Sequence, residues 1–216
     1  AEKAAPKLCH VTLELGGKNP NIIMSDADLD IAIQGVIDGM RYTRQGQACT
    51  AGSRVYIQEK IYDKVLNGAV EKLSKLKMGN ALDESSDIGA IISEEQLKRT
   101  LHYMDIAKQT SSAKVLHGGN QPTGGDYKNG FFYEPTLMSG VPVDSPVCQE
   151  EIFGPVACAI PFKTFEEVMQ SANDTPFGLS AVLWTQNLSR ALEFVEDIEA
   201  GFVQVNQCVA PRANVS

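Results

Sequence analysis

Residues 11–15 (VTLEL) alternate apolar and polar side chains with the period of a short strand, and Gly16-Gly17 stops it. A second apolar stretch opens at residues 20–24. Residues 25–29 (SDADL) then supply a helix cap and an acidic first turn, after which Ile31, Ala32, Val36, Ile37 and Met40 recur at helical spacing. Residues 45–54 (QGQACTAGSR) are small and polar and read as a loop or sharp turn, and 54–58 (RVYIQ) as a strand. Ile61, Tyr62, Val65, Leu66, Ala69, Val70, Leu73 and Leu76 mark one face of a long helix. A further helix is predicted over 94–108, then a strand at 114–116 and a Gly-rich turn. Beyond it, strands near 131–137, 156–161 and 180–185 alternate with helices near 165–172 and 188–198, and 201–206 (GFVQVN) closes the series as a strand.

Helices alternating with strands predict an α/β fold: an open, largely parallel twisted sheet flanked by helices. The chain has 216 residues, enough for one sizeable domain, and no linker or repeat divides it. Hydrophobic residues make up 43% and charged residues 21%, the balance of a globular protein with a packed core. No apolar run approaches the roughly 18–20 residues of a membrane span, and the first residues have no signal-peptide core. The net charge of −8, scattered along the chain, argues against a nucleic-acid or anionic-membrane surface. The five cysteines, Cys9, Cys49, Cys148, Cys158 and Cys208, are widely spaced without a C-x-x-C pair. A disulfide framework or metal site is therefore not expected; most should be buried, inert thiols in a reducing, cytoplasmic compartment.

Two residues stand out chemically. Cys49 sits among Gly46, Ala48, Thr50, Ala51 and Gly52, where small neighbours let a substrate and backbone amides approach a thiolate. Spacing alone fits a small buried turn residue better. Glu14, at the end of the 11–15 strand, is placed to activate water if partly desolvated, although the alternation equally allows an outward-facing strand residue. His10, His102 and His117 have no neighbourhood that suggests a base paired with Cys49. In QEEIFGPV (149–156), Glu150 or Glu151 suits a ribose and Phe153 a flat ring, but a solvated pair beside a core phenylalanine is the plainer reading. Neither a G-x-G-x-x-G nor a G-x-x-x-x-G-K-[ST] phosphate loop occurs.

Together these segments resemble the aldehyde dehydrogenase superfamily. Glu14-Leu15-Gly16-Gly17-Lys18-Asn19-Pro20 is similar to its ELGGK-x-P motif, and Gly46-Gln47-Ala48-Cys49 to its GQ-x-C motif. Glu150-Glu151-Ile152-Phe153-Gly154-Pro155-Val156 matches a third motif, and Asn173 to Leu179 the AN-x-x-x-YGL region with Phe177 for Tyr. The resemblance implies an NAD(P)-dependent oxidation of an aldehyde to a carboxylic acid. Cys49 would form a thiohemiacetal and then a thioester, its own N–H holding part of the oxyanion, and Glu14 would activate the hydrolytic water. Glu151, Phe153, Leu15 and, more loosely, Gln96 would touch NAD or NADP. No metal is implied.

The family pattern also implies what 1–216 omits. It would be the cysteine-bearing catalytic domain without the upstream dinucleotide-binding domain, the second oxyanion donor and the C-terminal oligomerisation arm. Such a domain is expected to be inactive by itself as a dehydrogenase, the intact parent being a homodimer or homotetramer. A coenzyme-A-acylating relative is the nearest alternative, against which Glu14 argues. A non-catalytic structural relative is the other, and thiol labelling of Cys49 discriminates it. Residues 208–212 (CVAPR) stand where relatives place a substrate-facing loop, which does not name the aldehyde.

Overall fold

Strand pairing in the computed structural model, which describes residues 2–208, builds one seven-stranded sheet. The strands are β1 (Pro20–Ile23), β2 (Arg54–Gln58), β3 (Lys114–His117), β4 (Thr136–Ser139), β5 (Val156–Phe162), β6 (Ser180–Trp184) and β7 (Phe202–Val205). Their order is β3-β4-β5-β2-β1-β6-β7, and every neighbouring pair is parallel except β3 with β4. The helices are α1 (Leu29–Gly39), α2 (Tyr62–Leu73), α3 (Glu94–Gln109), α4 (Pro146–Gln149), α5 (Phe165–Asn173) and α6 (Leu188–Asp197). The expected open, largely parallel α/β sheet is the observed one.

Both faces of the sheet are covered, because alternate strand residues feed two separate cores. Val55 and Ile57 of β2 pack with Val36 and Ile37 of α1 and Leu66 and Leu73 of α2. Tyr56, between them, points to the other face and joins Tyr103 and Met104 of α3, Cys148 of α4 and Val168 of α5. Helix starts are fixed by side chains that accept otherwise orphaned amides: Asp28 from Ile31, Ser93 from Gln96, Thr164 from Glu167 and Asn187 from Arg190. Asn21 lies fully buried in central β1, where an unpaired amide would be costly. It donates to the Gly35 carbonyl (3.1 Å) and accepts from the Trp184 indole (2.7 Å), tying α1 and β6 to the strand.

Three expectations need correction. Residues 11–15 are not a strand: they are exposed coil, and alternation without a partner strand leaves the backbone in water. The strand expected near 131–137 begins at Thr136 instead, because Phe132 and Tyr133 enter the core from irregular backbone and Pro135 has no N–H for a ladder. Burial of the cysteines is also less general than expected. Cys148 and Cys158 are buried, Cys49 and Cys208 half-buried and Cys9 exposed, all free thiols. Among the described residues no helix is long and apolar enough to cross a membrane. Residues 209–212 of the expected substrate-facing loop lie outside the described residues.

Candidate active site

Parallel strands place all their amino ends on one edge, and the candidate residues gather there. Gly16 to Asn19 precede β1, Cys49 to Ser53 precede β2, and Glu151 to Pro155 precede β5. Glu14 was expected at the finishing end of a strand; it lies instead upstream of β1, exposed and outside regular structure. Its expected partial desolvation is not provided by the described residues.

The turn carrying Cys49 is held by Asn19, a residue to which the sequence drew no attention. The buried Asn19 amide donates to the carbonyls of Cys49 (2.7 Å) and Ala51 (2.9 Å), while its oxygen accepts the Ser180 N–H (3.0 Å). One side chain thus fastens the cysteine turn to the starts of β1 and β6. A polar residue just ahead of an apolar strand was the only signal available. The N–H of Cys49 has no acceptor among the described residues, which leaves it free for an oxyanion. Among the described residues no histidine is hydrogen-bonded to Cys49. The His117 ring bonds the Pro135 carbonyl (2.9 Å), and His10 and His102 are exposed.

Two glycines make the close approaches. Gly17 lies on the cysteine turn so tightly that a Cβ would sit 2.3 Å from the Cys49 oxygen. Gly46 has φ +65°, and a Cβ there would meet the Gly154 carbonyl at 2.2 Å. The result is a tight junction of the three turns, with a crevice of about 10 Å³ between them lined by Gly17, Gly46, Ala48, Glu151 and Phe153.

Helix α3 holds the third loop. Gln96 donates through Nε2 to the carbonyls of Ile152 (3.0 Å) and Phe153 (2.8 Å), and Arg99 donates to the carbonyls of Glu151 and Ile152. Phe153 is kept at φ +59°, a left-handed conformation uncommon for an aromatic residue, with its side chain part-exposed at the crevice. The Glu151 carboxylate accepts the Gly17 N–H at 2.9 Å. Leu15, on the exposed side of the Gly-Gly turn, is 58% exposed.

Beneath the crevice is a cationic layer. Arg54, 1% exposed, donates to the carbonyls of Lys18 (2.8 Å), Ser171 (3.1 Å) and Ala172 (2.8 Å) and to the Tyr56 hydroxyl (3.1 Å). Lys18, 2% exposed, has its pKa pushed down to about 8 by burial, with the nearby thiols of Cys158 and Cys148 opposing and the Arg54 charge adding to the fall. Cys148 and Cys158 are buried free thiols there whose mutual interaction lowers the pKa of Cys148 and, with burial, raises that of Cys158. Among the described residues no cluster of side chains is arranged to hold a metal ion.

The model of the family described as "Aldehyde dehydrogenase family" matches residues 1–216. The chain is 40% identical over 206 residues to the NADP-dependent D-glyceraldehyde dehydrogenase of Picrophilus torridus, a match covering 95% of this chain and 41% of that protein. It is 39% identical over 203 residues to the betaine aldehyde dehydrogenase of Mesorhizobium japonicum, covering 94% and 41% of the two. Among solved structures, the NAD+ complex of an aldehyde dehydrogenase from Bacillus cereus superposes with a TM-score of 0.89 at 38% identity, covering 98% of this chain and 42% of that one. The chain thus spans about two fifths of the length of the relatives it matches.

Proposed function

The chain belongs to the aldehyde dehydrogenase family, and from that premise we propose that it is the catalytic domain of an NAD(P)-dependent enzyme oxidising an aldehyde to a carboxylic acid. The observation that carries the reading is the meeting of three turns at one strand edge. Gly17 packs on the Cys49 carbonyl, and Glu151 accepts the Gly17 amide. Cysteine, carboxylate-bearing turn and aromatic loop are brought together, although they are far apart in sequence.

The residues present fit the nicotinamide end of a dinucleotide. Where the turns meet, the chain offers bare glycine backbone, the exposed Phe153 ring for a flat heterocycle and the Glu151 carboxylate for ribose hydroxyls. Leu15 adds apolar surface beside the Gly-Gly turn, and Gln96 serves the same end by fixing the backbone of Phe153. The remainder of the cofactor would be held by an upstream dinucleotide-binding domain, in keeping with the share of the relatives that this chain spans. Without that domain the chain is inactive as a dehydrogenase, since productive positioning of two reactants contributes about 7–11 kcal/mol. The intact parent would be a homodimer or homotetramer of the cytoplasm, where five free thiols stay reduced.

The Cys49 Sγ adds to the aldehyde carbon, and the Cys49 N–H donates to the oxygen that becomes negative. A nicotinamide held by Phe153, Glu151 and Leu15 would supply the acceptor for the hydride at that carbon. Cys49 is then a thioester. Glu14 takes a proton from water as the water oxygen bonds the acyl carbon, the C–S bond breaks, and the carboxylic acid departs from a regenerated thiolate.

The test is NAD(P) reduction with a panel of aldehydes by the full-length protein and its Cys49→Ala and Glu14→Gln variants. Loss of all turnover in Cys49→Ala and of steady-state turnover in Glu14→Gln is expected. Undiminished turnover in Cys49→Ala would overturn the assignment.

A further inference from the structure

Glu151 does more in this structure than wait for a ribose. Its backbone is anchored from below: Arg99 and Gln96 of α3 hold the carbonyls of residues 151–153, and the preceding Glu150 accepts the Tyr103 hydroxyl at 2.6 Å. From that base the carboxylate reaches the Gly16-Gly17 turn. Oε1 accepts the Gly17 N–H at 2.9 Å, and Oε2 lies so close over Gly16 that a Cβ there would be 2.4 Å away. Gly16 is thereby required as glycine for packing; its backbone has no left-handed φ.

The significance lies in what else holds that turn. Residues 9–15 are exposed and outside regular structure. Among the described residues, the Gly17–Glu151 contact is the single hydrogen bond joining 9–17 to the body of the domain beyond Lys7. Glu14 projects from this segment, three residues ahead of the anchored amide.

We propose that Glu151 is a positioning residue for Glu14: its carboxylate clamps the Gly16-Gly17 turn and so sets where the water-activating base stands during thioester hydrolysis. A carboxylate has about four acceptor sites. One oxygen can hold Gly17 while the other meets a ribose hydroxyl, so the same side chain serves both the cofactor and the base. The inference rests on the roles given above to Cys49 and Glu14.

The discriminating reaction needs no cofactor. Hydrolysis of p-nitrophenyl acetate by the full-length protein separates an acylation burst at Cys49 from a slower steady phase of deacylation. If Glu151 only bound ribose, neither phase would depend on it. Glu151→Leu, which removes the acceptor, should lower the ratio of deacylation to acylation rate about tenfold, the size expected for one charge-assisted hydrogen bond. Glu151→Gln, whose amide oxygen still accepts the Gly17 N–H, should restore the ratio to within about threefold of wild type. Gly16→Ala approaches from the other side: its methyl displaces the carboxylate and should slow deacylation as Glu151→Leu does. This variant keeps the test open if the leucine protein does not fold. A wild-type ratio in both Glu151→Leu and Gly16→Ala overturns the proposal, and so does equal slowing by Leu and Gln. A Glu14→Gln control that deacylates normally would instead place the failure in the assignment of the base.

Discussion

Asn19 and Cys49 are joined by a 2.7 Å hydrogen bond from the side-chain amide of the first to the main-chain carbonyl of the second. The same amide also reaches Ala51, and its oxygen takes the Ser180 N–H, so the cysteine turn is held from outside itself. A turn built of alanine, glycine and threonine has few side chains of its own with which to stay fixed. Asn19, before β1, adds a side-chain anchor to the turn's own Ala48–Ala51 bond and to the Gly52 N–H bond with the Gly39 carbonyl.

Replacing that neighbour should be costly. Asn19→Ala leaves the Cys49 carbonyl and the Ser180 amide without partners, and the Ala51 carbonyl with the Ser53 N–H alone, which is expected to destabilise the protein by about 2–4 kcal/mol. Asn19→Asp should be no better, because a carboxylate cannot donate to two carbonyls. Urea denaturation measures the loss. The alkylation rate of Cys49 relative to exposed Cys9 should change in Asn19→Ala at urea concentrations where the fold persists; an unchanged rate would mean the turn holds itself.

Gly46 makes a second prediction on the same turn. Its φ of +65° costs an L-residue about 1–2 kcal/mol, and the Gly154 carbonyl stands where a Cβ would go. Gly46→Ala should therefore lower stability by more than the φ cost alone and separate the cysteine turn from the Phe153 loop. Gly124→Ala, where a Cβ meets nothing within 4 Å, is the control and should change the denaturation midpoint little.

Much of this was legible in the chain, and the failures have physical causes. The helices expected over 61–76 and 94–108, observed as Tyr62–Leu73 and Glu94–Gln109, and the apolar strands of the central sheet survived because each element buries a whole face, the feature that periodicity reports. The pattern at 11–15 has the right period and no partner strand among the described residues, and local alternation cannot supply one. The four-residue α4 escaped because one turn shows no periodicity; only Ser145 and Pro146 marked its start. At the candidate site, the motifs singled out Cys49, Glu151 and Phe153, whose turns meet at one strand edge, and Glu14, which stands in exposed coil before β1. Asn19 and Arg54 were not, because their work is to bond main-chain carbonyls distant in sequence, and no local pattern encodes that.

Arg54 shows how such a residue can be tested. Its guanidinium, without a carboxylate partner among the described residues, joins the carbonyl before β1 to two at the C-terminal end of α5. That fork geometry is not available to an ammonium. Arg54→Lys and Arg54→Met should each destabilise by about 2–4 kcal/mol through stranded carbonyls, with lysine giving no advantage over methionine. Substantial rescue by lysine, read from urea denaturation, would show that charge rather than geometry is what the site requires.

Lys18 gives a pH dependence whose sign is fixed. Burial holds its folded-state pKa at about 8, below the ordinary 10.5, so between those values the unfolded chain binds a proton that the folded protein does not. Stability contributed by this group therefore rises with pH from about 8 toward 10.5, at about 1.4 kcal/mol per pH unit. Below pH 8 the cost of the buried ammonium is present in full. Buried Tyr42 and Tyr56, whose pKa values burial pushes up, act oppositely as pH passes 10, so the total curve mixes several groups. A difference between two proteins isolates Lys18. The stability of wild type relative to Lys18→Met should improve by about 2 kcal/mol between pH 8 and 9.5. In an Arg54→Met background the rise should begin at higher pH, because one of the charges that depress Lys18 is gone. A flat difference across that window would mean that the ammonium is solvated or paired in the folded protein, and that the cationic layer beneath the crevice carries a single charge cost rather than two.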